Sequence, residues 1–411
     1  MTPRLRINKV RLLERLDEMA RIGALEAGGV SRLSLTDPDK QARDQLVRWM
    51  EALNLTVQID RVGNIFGIRP GQTGSLPVMF GSHIDTVSVA GKLDGTYGVL
   101  AALECIATLN EHNKQTLRPL VVAAFTNEEG VRYASGMLGS AVYVGELPIE
   151  QALDMRGVDG SRFGDELQRI GYAGPMQPGA IEPYAYLELH IEQGPVLDRA
   201  GQTIGVVEGV TGITWLEIIV IGAANHAGTT PMDMRRDAGL AAAKVITYLR
   251  EITAALGEPQ RATCGRLSFE PNAINVIPGR VAFTVDLRNP EPSDLRRAEA
   301  MLREYLQKVV AEEGVKIEVR DLEHVQPVRF DPLVIGAVER AARRLGLSYR
   351  PMISGAGHDA QLMAHKYPAA MIFVPSRDGI SHNPAEYTDP NDLAHGANVL
   401  LHAVLDLATR H

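Results

Sequence analysis

Two short runs of wholly apolar sequence, LPVMF at 76–80 and LVVAAF at 120–125, are each followed at once by a cluster of histidines or acids. A strand with one wet face alternates apolar and polar residues. A run without alternation suits a strand covered on both faces, as in the middle of an α/β sheet. In open sheets of that kind, ligands gather outside the C-terminal ends of the strands. The pattern places chemistry at 81–85 and 126–129 before any residue is given a role.

The rest of the chain fits this layering. Asp37-Pro38 reads as a helix start, with Asp as cap and Pro in the first turn. Leu46, Val47, Met50 and Leu53 then share one helical face, and LTVQI at 55–59 alternates as a half-buried strand. Near Thr214 the texture changes to a strand at 215–221, a helix at 238–252, strands at 265–269 and 280–287, a helix at 293–313 and a strand at 315–319. That β-α-β-β-α-β order is the split βαβ arrangement of a small ferredoxin-like sandwich. The α/β texture returns with a helix at 332–345, an apolar strand at 369–374 and a helix at 391–408. At 411 residues the chain exceeds one comfortable core. The expected fold class is α/β: a catalytic domain (1–211 and 327–411) with a mixed, mainly parallel sheet flanked by helices. An inserted ferredoxin-like α+β domain (212–326) interrupts it.

A formal net charge of −8 argues against a general binder of nucleic acid or anionic membrane, because both need a basic face. No apolar run approaches the ~20 residues of a membrane span, and residues 1–16 lack the apolar block of a signal peptide. A cytoplasmic location is expected. Cys105 and Cys264 stand in no knuckle spacing and read as core residues, so a thiolate metal site is excluded.

Each remaining cluster admits an ordinary reading beside a chemical one. In GSHIDT, His83 is a turn histidine or a metal ligand, with Asp85 placed to hydrogen-bond its other ring nitrogen. Asp94, in LDGTYG, is a helix cap or a ligand. Glu128 and Glu129 are two solvated loop acids, or a pair held together by a cation, with one binding and one free to act as a base. His190, in ELHIEQGP, and His382, in GISHNP, complete an N/O set suited to zinc or another borderline divalent metal. Two metals ~3.5–4 Å apart can share the activation of a water and the polarisation of a carbonyl.

The strings GSHIDTV, LDGTYGVL, NEEGVRYASGMLGS, ELHIEQGPVL, HAGTTPMDMRRDA, NVIPGRVAFTVDLR and SRDGISHNPAEYT appear in that order. Together they resemble the amidase (hydantoinase/carbamoylase) branch of the M20 metallopeptidase family. The resemblance implies two divalent metal ions per subunit, zinc or manganese, nickel or cobalt. His83 and His190 would hold one, Glu129 and His382 the other, with Asp94 bridging. Glu128 would be the general acid/base, and Asp85 would orient His83. A histidine at 190, where the peptidase relatives more often carry a carboxylate, points to the amidohydrolase branch. Arg288 and Asn275 would clamp a substrate α-carboxylate, His226 would stabilise a developing oxyanion, and Gln193 would lie near the ureido group. Gly357, in the Gly-rich turn 354–359, would offer backbone N–H groups, and His358 would support that turn. A homodimer through the inserted domain is implied as well.

The expected activity is hydrolysis of the carbamoyl (ureido) C–N bond of an N-carbamoyl-L-amino acid, a small-molecule substrate. Allantoate amidohydrolase and β-ureidopropionase activities are the alternatives inside the branch. A dipeptidase and a non-catalytic binding protein with a hydrolase fold lie outside it.

Overall fold

The computed structural model describes residues 5–409. The chain divides into two compact units, Met1–Gly209 with Arg329–His411 and Val210–Val328.

In the first unit nine strands form one sheet among the described residues, and its centre is built from the apolar runs. Across the sheet lie Thr56–Ile59, Ile65–Arg69, Leu120–Phe125, Val78–His83, Ala185–Ile191, Ala369–Val374, Ile204–Val210 and Val328–Arg329, with Tyr349–Ser354 paired beside Ile204–Val210. The four central strands run parallel, with His83 opposite Phe125 and Phe373 opposite His190. Strands nearer the edges are antiparallel. Every residue of Val78–His83, Leu120–Phe125, Ala185–Ile191 and Ala369–Val374 is buried, so the absence of alternation has its physical cause in cover on both faces.

Helix Thr96–Glu111 packs on the strands of His83 and His190, and all but its last two residues are buried. A Cβ at Gly98 would stand 2.3 Å from the Leu189 carbonyl oxygen, so glycine lets the helix approach that strand. Helix Pro390–Ala408 covers the same face, opened by Pro390 in its first turn and by Asp389, whose carboxylate accepts from Asn391 N.

The second unit has its own core. Its sheet runs Leu267–Glu270, Arg280–Asn289, Gly212–Ile221, Lys316–Val325, with Arg261–Thr263 paired to Arg280–Asn289. Helices Ala238–Leu256 and Pro292–Glu313 pack on it through Val245, Leu249, Leu302 and Leu306, against Val220 and Phe283. Arg280–Asn289 alternates half-buried and buried side chains along its length, as a strand with one wet face should.

Local differences from the sequence reading have local causes. Helix Asp37–Ala52 is preceded by Thr36, so Asp37 is its first residue and not its cap. Strand Lys316–Val325 runs beyond 319, because its outer residues are polar and give no apolar signal. Cys105 is buried, but Cys264 is only half-buried, packed against the margin of the second unit's core. No helix among the described residues is long and apolar enough to cross a membrane.

Candidate metal centre

The turns that follow the parallel strands bring the polar clusters together. His83 ends its strand and His190 lies one residue from the end of its own, while Glu128 and Glu129 follow Leu120–Phe125 after Thr126 and Asn127. Asp94 precedes helix Thr96–Glu111 without capping it: the N-cap is Gly95, in a left-handed conformation (φ 60°), and no side chain caps the helix.

Asp94 sits at the middle. Its Oδ1 lies 3.0 Å from His190 Nε2 and 3.8 Å from His83 Nε2, and its Oδ2 lies 3.2 Å from His382 Nε2. Glu129 Oε2 is 3.4 Å from His382 Nε2, and Glu128 Oε2 is 3.5 Å from His83 Nε2. Ligand atoms of His83, Asp94 and His190 fall close enough to share one ion, as do those of Asp94, Glu129 and His382. A further group, Glu188, His190 and His358, overlaps the first. Overlapping ligand clusters of this kind make a binuclear metal site.

The donor chemistry fits bound cations. The side chains of His83, Asp94, Glu129 and His190 are buried, and that of His382 is half exposed. Glu129 Oε1 is buried without a hydrogen-bond partner, an arrangement that costs free energy unless a cation completes it. Burial and the charges of Asp359, Glu129, Asp94 and Asp85 push the Glu128 carboxyl well above the ordinary range, and burial with Asp94 and Asp85 does the same to Glu129. Burial resists ionisation of Asp94, yet hydrogen bonds from His190 and His382 prevail and hold it well below the usual carboxylate range. Burial lowers His83 to about 4, whereas at His190 Asp94 overcomes burial and raises the imidazole to about 9.

Main-chain groups orient both inner histidines. His83 Nδ1 meets the Asp85 carbonyl oxygen at 3.0 Å and His190 Nδ1 meets that of Ile191 at 2.8 Å, which puts a ring proton on each Nδ1 and turns each Nε2 towards Asp94; His190 Nε2 carries a second proton in its hydrogen bond to Asp94, which must leave before that nitrogen can hold a metal. The carboxylate of Asp85 lies farther from the ring than the main-chain carbonyl of the same residue. It stands 3.9 Å from Nδ1 and accepts from the main-chain N–H groups of Glu128 (3.2 Å) and Glu129 (3.4 Å), joining the two ligand-bearing turns.

Gln193 also reaches the centre, donating from Nε2 to Asp94 Oδ2 at 2.9 Å, with its Oε1 buried and unpartnered. Gly357 is packed beside Met137 and Gln361. His358 lies edge-on to His190, ring centroids 4.6 Å apart, and its Nε2 meets Ser354 Oγ at 3.0 Å. His226, Asn275 and Arg288 belong to the second unit. There Ala227 N donates to the Asn275 carbonyl, and the Arg288 guanidinium is paired with Asp286. His226 Nδ1 accepts from Gly228 N (3.0 Å) and Thr229 N (3.3 Å), so its proton resides on Nε2 of an exposed ring.

Three supporting residues escaped the sequence reading. Arg32 is fully buried and donates to the carbonyl oxygens of Ile84, Met19 and Ile22 and to Thr96 Oγ1, pinning the segment between His83 and the helix. Glu188 accepts from Ser82 Oγ (2.6 Å) and Ala360 N (2.8 Å). Glu386 accepts from Leu93 N and Ser381 Oγ. Both glutamates stand inside strings singled out by sequence, but apart from Ser381 their partners are main-chain or hydroxyl donors far along the chain.

Comparison with known proteins agrees with this centre. The model of peptidase family M20/M25/M40 matches residues 79–406. An N-carbamoyl-L-amino-acid amidohydrolase of Rhizobium meliloti is 42% identical over 404 residues, covering 98% of this chain and 97% of the relative. An allantoate amidohydrolase of Escherichia coli is 36% identical, covering 96% and 97%. The crystal structure of an amidase of the hydantoinase/carbamoylase family from Burkholderia multivorans superposes with a TM-score of 0.97 at 45% identity, covering 99% of this chain and 100% of that one. The likeness covers nearly the whole chain, and the chain therefore belongs to peptidase family M20/M25/M40, in its hydantoinase/carbamoylase amidase branch.

Proposed function

We propose that the protein hydrolyses the carbamoyl C–N bond of N-carbamoyl-L-amino acids, releasing the L-amino acid, carbon dioxide and ammonia. The observation that carries this is Asp94, set between two ligand groups with Glu128 beside them, in a chain similar over nearly its whole length to an N-carbamoyl-L-amino-acid amidohydrolase. His83 and His190 would hold one metal and Glu129 and His382 the other, with Asp94 shared between them; zinc, manganese, nickel or cobalt suits such donors. Bound there, the pair supplies Lewis-acid polarisation of the carbonyl and lowers the pKa of a water.

The remaining steps belong to the chain. Glu128 takes a proton from the attacking water and returns it to the departing amine nitrogen as the C–N bond breaks. Its raised pKa, caused by burial and neighbouring acids, suits it to hold that proton between the two events. Gln193, anchored on Asp94, presents its amide to the ureido group. Arg288 and Asn275 grip the carboxylate, His226 offers Nε2–H to the developing oxyanion, and N–H groups around Gly357 complete the carboxylate site. The inserted segment also serves as lid and homodimer contact; its exposed Met232, Met234 and Ile274 are apolar surface of the kind such contacts cover.

A substrate panel tests the assignment. Metal-loaded protein is incubated with N-carbamoyl-L-methionine, N-carbamoyl-β-alanine, allantoate and a dipeptide, and ammonia and free amine are measured. Release of L-methionine with ammonia is expected. Turnover of allantoate alone would move the substrate within the branch, and turnover of the dipeptide alone would overturn the ureido reading.

Gly95 provides a geometric check. A Cβ there would stand 2.3 Å from His83 Nε2, on a backbone already at φ 60°. Gly95→Ala is expected to displace the imidazole and weaken metal binding by about tenfold or more, with the far-ultraviolet circular dichroism spectrum retained. Unaltered metal affinity would mean His83 is not a ligand.

A further inference from the structure

We propose that Glu386 is a positioning residue that holds Asp94 and the His382 turn in one arrangement and so secures the second metal. This rests on the reading of Asp94, Glu129 and His382 as ligands. The Glu386 side chain is buried, and both its oxygens are spent on the centre's two supporting turns. Oε1 accepts from Leu93 N at 2.9 Å and Asp94 N at 3.3 Å, fixing the main chain from which the Asp94 carboxylate projects. Oε2 accepts from Ser381 Oγ at 3.1 Å, and that hydroxyl also lies 3.2 Å from Asp94 Oδ2. The main-chain N–H of Glu386 donates to the Asn383 carbonyl at 3.0 Å, closing the turn that directly follows His382, itself at φ 51°.

The two turns are 293 positions apart at the Leu93 contact, so no local sequence preference aligns them; this carboxylate does. The space is also closed. A Cβ at Gly91 would stand 2.2 Å from Glu386 Oε1 and 2.4 Å from its Cβ, so glycine at 91 admits the side chain. A ligand constellation works only when its members are held within ~0.5 Å of the productive geometry. Loss of Glu386 frees the Asp94 main chain and the His382 turn together, which weakens the position that Asp94, Glu129 and His382 share.

The test is zinc content per subunit at equilibrium against a competing chelator, measured by mass spectrometry on wild type, Glu386→Ala, Glu386→Gln and Glu386→Asp. Wild type is expected to hold two zinc ions, and Glu386→Ala to bind the second about 10- to 100-fold more weakly. Glu386→Gln should recover most of the loss, because its carbonyl oxygen accepts from Leu93 and Asp94 and the Ser381 hydroxyl can turn to meet its amide. Glu386→Asp keeps the charge but falls short of the donors, and should behave as the alanine variant. Wild-type zinc affinity in Glu386→Ala, or rescue by Asp and not by Gln, would overturn the proposal. Should Glu386→Ala not fold, Gly91→Ala displaces the carboxylate from outside and must lose the same ion; unchanged affinity there is equally fatal. A wild-type protein that holds no zinc would instead defeat the reading of the centre itself.

Discussion

Glu128→Gln is expected to lower kcat by about 10²–10⁴-fold, the usual worth of a positioned acid/base, while metal content stays at the wild-type level. The amide is nearly isosteric and leaves the fold of the turn intact, since Asp85 holds the main chain at Glu128 and Glu129 and not the side chain. It removes a group whose proton affinity is raised by burial and by Asp359, Glu129, Asp94 and Asp85. KM should change little, because the group acts on the water and the leaving amine. Full activity in a variant with normal metal content would remove Glu128 from the mechanism. Loss of metal along with activity would make it a ligand.

Removing the metals should leave a protein whose stability falls as pH rises. Burial raises Asp85 from 3.8 to about 7, and burial together with Asp94 raises Glu386 from 4.5 to about 7. The folded, metal-free chain keeps these protons where the unfolded chain has released them. Its stability is therefore greatest below the unfolded values and is lost as pH climbs towards 7. Asp60, raised by burial to about 7 away from the centre, adds the same slope with or without metal. Cations offset the negative charge of the centre only once His190, raised to about 9, gives up its proton, so metal affinity increases with pH. The increase in Tm on adding zinc should accordingly be small near pH ~5 and large near pH ~8. Equal increases at both would mean that His190 does not give up a proton when metal binds.

What sequence revealed and what it hid follow from how each contact is made. Strand runs 120–125 and 369–374 match the observed strands because burial on both faces removes every polar residue. The ligands following them were legible for the same reason: polar groups at a buried strand's end need an explanation. Ile204–Val210 was not read as a strand, since its glycines and Glu208 blur the pattern although it joins the sheet. Asp85 shows the limit at the centre. Its spacing from His83 suggested a side-chain hydrogen bond, yet its own main-chain carbonyl is the nearer partner of Nδ1, and the carboxylate meets the N–H groups of Glu128 and Glu129. Arg32, Glu188 and Glu386 were hidden because they bond to main-chain groups or hydroxyls remote in sequence, and no local periodicity records such pairs. An arginine in a polar segment at 31–36 looks solvated until the fold closes over it.

The central claim is a binuclear metal-dependent hydrolase acting on a carbamoyl C–N bond. Its most direct test strips the protein with chelator, restores zinc or manganese in measured equivalents per subunit, and follows L-methionine and ammonia released from N-carbamoyl-L-methionine. The account predicts no turnover without metal, rising to a plateau as the second equivalent binds, with amino acid and ammonia formed in equal amounts. Undiminished turnover by metal-free protein, or a fully metal-loaded protein that releases neither product, would contradict it.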